Sequence, residues 1–271
     1  MSKTELSKTE EKALAALDFE QDAGGGLEGA DRDSFAIPFL RVLQKGSPQV
    51  EEGQPEYLPD AKPGMLMNSV NGDLFDGKEG ITILPCAYER RFVIWAPRGD
   101  GGYQGDMTPS EVNAAVEEGR IVQHEGRLYI PLDDGTINEK KCSRVQDTRS
   151  HFVLIRTEDG GSSQVVFPLA STQIKKSKQL MSILSAVRVK TAKGMKQPPS
   201  WMNKIRVTTV LESNDEGSWY GVRFEREGLE TDPEAYAEGK AFHDAVTSGE
   251  AKAKYAEQDT VDVPSDDEGK F

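Results

Sequence analysis

Two long stretches of alternating apolar residues, each interrupted once by a turn signature, constrain the fold more than any other feature. HFVLIRTEDGGSSQVVFPL breaks around Asp159-Gly160-Gly161, and MNKIRVTTVLESNDEGSWYGVRFER breaks between Ser213 and Glu216. A period of two in β-branched and aromatic residues, on both sides of a Gly-bearing turn, is the pattern of an antiparallel hairpin with one buried face. In the second stretch the alternation aligns Ile205 with Phe224, Val207 with Val222 and Thr209 with Tyr220. The opposite face then carries Lys204, Arg206, Thr208, Trp219 and Arg223, with Arg206 across from Arg223. Two cations so placed cost stability unless an anion lies between them.

The rest of the chain extends this pattern. ITILPCAYERRFVIWAP (residues 81–97) predicts a strand pair or one long bent strand, with Pro85 at a bulge or edge. IVQHEGRLYIPL predicts a hairpin around Glu125-Gly126. Thr108-Pro109-Ser110-Glu111 supplies an N-cap, a proline at N1 and a glutamate at N3 for a helix over 109–118, which Gly119 ends. In TQIKKSKQLMSILSAVRVK, Leu180, Ile183, Leu184 and Val187 share one face of an amphipathic helix. GDGGYQG (99–105) reads as a mobile loop. The sequence therefore predicts an α+β, mainly antiparallel β chain. Its parts are a flexible acidic arm (1–35), a main domain (36–230) with an insertion at about 99–140, a helical segment (231–257) and an acidic tail (258–271).

Several classes are disfavoured. No run of apolar residues is long enough for a membrane span, and the first residues lack a signal-peptide core, so a cytoplasmic location is expected. Cys86 and Cys142 form no CxxC and read as free thiols. P-loop, GxSxG and HExxH motifs are missing, and His124, His151 and His243 are scattered. The expectation is a protein that is not an enzyme, with no catalytic residues, cofactor or metal.

Charge points to a partner. The chain carries a formal net charge of −13, which taken alone argues against a polyanion. Its distribution argues the reverse, because Lys140 to Arg206 holds 14 basic residues against three acids. From Gly160 to Leu211 there is no Asp or Glu in 52 residues, where the overall share of 46 acids in 271 would place about nine.

The candidate contacts follow from that segment. Lys175, Lys176 and Lys178 sit in the first turns of the helix after Thr172, where the macrodipole favours acids, so they read as a phosphate site. Lys193 and Lys196 in a basic loop, then Trp201, Lys204, Arg206 and Arg223, extend the path, and Trp219 offers a plane on which a base can stack. In YERRFVIWAPRGDGGY alternation sets Arg90 with Phe92 and Arg91 with Trp95, without deciding which pair faces a ligand.

FPLASTQIKKSKQL, followed by PPSWMNKIRVTTVLESNDEGSWYGVRFE, resembles bacteriophage single-stranded DNA-binding proteins of the replication and recombination type over about residues 36–226. The resemblance implies an OB-like barrel with helical insertions, a basic aromatic groove, and an acidic tail ending in an aromatic residue. DDEGKF has that form, so Asp266, Asp267, Glu268 and Phe271 would contact replication or recombination proteins. The N-terminal extension and the 99–140 insertion are additions to a minimal OB barrel. The expected function is sequence-tolerant binding of single-stranded DNA, with RNA as a second ligand, without membrane attachment and compatible with a homo-oligomer. The rival is a structural or interaction protein, such as a virion component or an acidic DNA mimic.

Overall fold

Two long strands organise the chain, and each has a run that is buried on both faces, residues 83–86 in one and 150–155 in the other. In the computed structural model, which describes residues 25–30, 35–97, 102–157, 160–215 and 217–258 (backbone alone at 257 and 258), three short strands come first: β1 (Leu40–Val42), β2 (Leu66–Asn68) and β3 (Leu74–Phe75). β4 (Ile81–Trp95) then pairs antiparallel with β8 (Ser143–Arg156), from Thr82↔Arg156 to Trp95↔Arg144. A register shift between Pro85 and Ala87 bends β4, so residues 81–95 are one strand and not a pair.

Both long strands share their outer edges between two partners. Along β4 these are β12 (Asn203–Asn214) at one end and β5 (Tyr103–Met107) at the other. Along β8 they are β9 (Ser162–Ala170) and the hairpin of β6 (Val122–His124) with β7 (Arg127–Ile130). Glu125 and Gly126 turn that hairpin with φ of 47° and 80°, the left-handed pair that a two-residue hairpin turn requires. With β13 (Gly217–Leu229) beside β12, the result is an eight-stranded antiparallel sheet curled into a half-barrel. Tyr103 and Gly105 lie in β5, so that part of the expected 99–105 loop is strand, while residues 99–101 fall outside the described residues.

Three helices among the described residues close this sheet. α1 (Pro109–Glu117) begins with the expected capping box: Glu111 N–H donates to Thr108 Oγ1 (3.3 Å) and Thr108 N–H to the Glu111 carboxylate (2.6 Å). α2 (Ile174–Ala186) buries Leu180 and Leu184 in the concave core, among Ile83, Val153, Phe167 and Phe224. α3 (Pro233–Ser248) covers the convex face, where Phe242 and Val246 pack over Leu84, Phe152, Leu154 and Val166. No helix among the described residues is long and apolar enough to cross a membrane. Cys86 and Cys142 are buried free thiols, and burial pushes the Cys86 thiol up to about 12.

The half-barrel is joined differently on its two sides. At β9, Val166 N–H donates to Pro38 O (2.8 Å). At β13, side chains stand in for a strand: Gln44 donates to Tyr220 O (3.0 Å) and accepts from Tyr220 N–H (2.8 Å), and Gln173 accepts from Val222 N–H (3.1 Å). Gly221 is required between these residues, since a Cβ there would lie 2.5 Å from the Glu212 carboxylate and 3.0 Å from the Gln173 amide.

The β12–β13 register corrects the sequence reading. Asn214 pairs with Gly217, a two-residue turn where a longer one was expected, so the partners move by two positions. Val207 faces Phe224 and Thr209 faces Val222. An even shift keeps every side chain on its predicted face but changes its neighbour. Arg206 therefore lies opposite Glu225, and Arg223 opposite Thr208.

Candidate nucleic-acid interface

The end of β9 and the tip of the β12–β13 hairpin meet at the start of α2. A 3-10 turn, Ser171–Gln173, makes the connection, and Ser171 adopts φ 48°, a conformation costly for a residue with a Cβ. Arg144 and Gln146 hold its hydroxyl (both 3.2 Å), and Trp95 Nε1 donates to Gln146 (3.1 Å). This anchored turn aims Thr172 and Lys175 at the hairpin tip. Between them opens a cleft of about 630 Å³ lined by Ser171, Thr172, Lys175, Glu212, Ser213, Asn214 and Trp219.

Inside the cleft, Glu212 binds two groups. It accepts from Trp219 Nε1 (3.2 Å) and pairs with Lys176 Nζ (2.6 Å). Burial opposes its ionisation, but the hydrogen bond and charge of Lys176, with the Trp219 contact, outweigh it and hold its pKa below the usual value. Glu212 is thus a charged, already compensated acid that orients the indole edge. Lys175 is exposed and has no ion-pair partner among the described residues. The cleft combines a half-buried tryptophan, a spare lysine and the positive end of a helix.

The structure divides the other candidates. Lys178 is exposed on α2, close after Lys175. Lys193 and Lys196 lie beyond the far end of α2 on a small hairpin of β10 (Val189–Thr191) and β11 (Gly194–Lys196). Lys204, Arg206 and Arg223 sit on the outward face of β12–β13, where carboxylates intrude: Arg206 lies 4.0 Å from Glu227 and 3.3 Å from Thr82 Oγ1. Arg206 and Arg223 do not face each other, so no anion is required between them. Trp201 is turned away from the cleft and packs on His243 (4.8 Å between rings) and Tyr236 (6.1 Å), so its ring serves α3 and not a base. Asp266, Asp267, Glu268 and Phe271 lie outside the described residues.

Within the ambiguous segment 88–103, residues 88–95 follow the alternation, and residues 98–101 lie outside the described residues. Tyr88, Arg90 and Phe92 face the concave side, and there they meet residues that the sequence reading passed over. Arg90 and Arg149 both grip Asp147 (shortest contacts 2.7 and 2.8 Å), and Arg149 donates to Tyr88 Oη (2.9 Å). Burial resists the charge on Asp147, yet the two guanidiniums lower its pKa. His151 lies beside this cluster, buried, with Nε2 2.8 Å from Ser177 Oγ of α2. The signal in the sequence was Asp147, Arg149 and His151 at every second position, which places all three on one face of a strand.

His124, Glu125 and Glu139 form a second cluster, with potential metal-ligand atoms all within 4.8 Å of one another. All three are exposed around the β6–β7 turn, and Tyr129 donates to Glu139 (3.2 Å).

A family model described as Pam3 phage gp34-like protein matches residues 7–252. The match points to a phage protein and carries no sign of catalytic activity. No curated protein and no solved structure matches the chain significantly.

Proposed function

The chain belongs to the Pam3 phage gp34-like protein family, and from that premise we propose that it binds single-stranded DNA with little sequence preference during phage replication or recombination. The cleft carries the proposal: Trp219 supplies a stacking surface, exposed Lys175 a phosphate contact, and Glu212 is compensated by its ion pair with Lys176 and by the nearby charge of Lys175. Lys178, Lys193, Lys196 and Arg223 add exposed cations, while Lys204 and Arg206 contribute at the outward face of β12–β13.

The connectivity supports the same reading. β4, β8 and β9 follow as an antiparallel meander, α2 comes next, and β12 returns beside β4 with β13 at its side. We read that order as OB-like, after a fold used for oligonucleotides, with β5, α1, β6 and β7 as an insertion after the first strand. The acidic tail with Asp266, Asp267, Glu268 and Phe271 is the proposed contact for replication or recombination proteins.

Fluorescence anisotropy with labelled oligo-dT tests this function. Log K should fall linearly with log salt, with a slope near −0.7 for each phosphate contacted. Trp219→Ala should weaken binding by roughly 5- to 150-fold, the loss of one stacked base, while Trp219→Phe keeps most of the affinity. A flat salt dependence, or no binding at low salt, would leave the chain as an interaction or structural protein.

A further inference from the structure

We infer that the bound strand runs along the exposed face of α2 and is gripped at the far end by the β10–β11 hairpin, instead of crossing the convex face over β8 and β9; this rests on the single-strand reading above. Over β8 and β9 the convex face is closed. Phe152, Leu154 and Val166, the outward side chains of β8 and β9, are buried beneath Phe242, Val246 and Tyr255. A base could stack there only after α3 had left.

The exposed side of α2 has the opposite character. Lys175 and Lys178 are followed by Ser182 and Ser185, all exposed, and the segment contains no acid. The helix has 13 residues, so it spans about 20 Å from the cleft to its last turn. Arg188 follows directly, its guanidinium resting on Ser185 O (2.6 Å). A polyanion leaving the cleft meets cations along this line, with no carboxylate contributed by the helix; the Ser182 and Ser185 hydroxyls donate to helix carbonyls and leave the surface smooth and uncharged.

The hairpin ends the path. Every residue from Lys190 to Gln197 is exposed, so the hairpin contributes nothing to either core. A two-stranded ribbon with no packed face is marginal in water, and its residue choice answers to something outside the domain. Lys190, Lys193 and Lys196 have no ion-pair partner among the described residues, and Met195, 60% exposed, stands directly opposite Lys190. Cations around an adaptable thioether suit a strand that offers phosphates and bases together. Charge complementarity selects a polyanion as the occupant.

The test compares the wild-type chain with the triple variant Lys190→Glu/Lys193→Glu/Lys196→Glu on oligo-dT of about 6 and about 20 nucleotides, lengths chosen to fill the cleft alone or the whole path. The variant should bind the longer oligonucleotide at least about tenfold more weakly, with a salt slope smaller by about 2, and the shorter one as the wild type does. The glutamine triple variant should lose the same slope with a smaller drop in affinity, and it serves if the reversal disturbs folding. Equal losses at both lengths, or none, would overturn the path while leaving single-strand binding intact. Failure of the wild-type chain to bind either length would instead overturn the function. A wild-type dimer that the variant converts to monomer, with DNA binding unchanged, would make the hairpin a self-association arm and defeat the inference.

Discussion

Replacing Phe242 with alanine is expected to lower the unfolding free energy by about 3–5 kcal/mol, the usual cost of emptying a large aromatic site in a core. Phe242 is fully buried and meets Phe152 edge-on, with centroids 6.0 Å apart and planes at 74°. Ala235, Ala245 and Val246 surround it, small side chains that cannot swell to fill the space left. Phe152 belongs to β8, the strand shared by the whole sheet, so the loss reaches beyond α3. Urea denaturation should show a lower midpoint with an unchanged slope, and Phe242→Leu should recover part of the difference. A loss under about 1 kcal/mol would mean that α3 does not seal the convex face, and the case for a strand path along α2 would go with it.

Stability should also fall as the pH drops from about 6.5 towards 4, by about 3 kcal/mol in total. Burial, with the neighbouring Arg149 charge, pushes His151 down to about 4. Above the unfolded value of 6.5 the imidazole is neutral in both states, and its contribution is complete. Between 6.5 and 4 only the unfolded chain takes up the proton, which draws the equilibrium towards unfolding; below that window both states are protonated and the loss is complete. Asp147, whose pKa is lowered below the ordinary 3.8, contributes its own loss at still lower pH. His151→Gln, which keeps a hydrogen-bonding group near Ser177, should flatten the profile between pH 6.5 and 4.5. An unchanged profile in that variant would assign the decline to other groups.

What could be read from the sequence was local. α1 was legible because Thr108, Pro109 and Glu111 fix its start within four residues and Gly119 its end. The hairpin faces were legible because strand parity survives an error of two in register. Partners across the hairpin were not, since they depend on whether the turn takes two residues or four, and so Arg206 met Glu225 instead of Arg223. Trp201 follows a basic loop in sequence, but its environment comes from Tyr236 and His243 on a helix more than thirty positions later. The cleft was half visible: the lysines and Trp219 stood out, whereas the Glu212 bridge required knowing that α2 begins against the hairpin tip. Asp147 and Arg149 became a cluster only when β4 placed Arg90 beside them.

The glutamine contacts along β13 leave that margin of the half-barrel covered by side chains instead of by a strand. Gln44 is one of several ties between the N-terminal layer and β12–β13: Thr209 donates through its N–H to Gly77 O and through its hydroxyl to Gly64 O, and Leu40 and Leu66 are buried with Val222 and Phe224. The N-terminal layer is therefore held by packing as well as by hydrogen bonds, and the Gln44 carboxamide, while seated, denies that exposed margin to strands of other molecules.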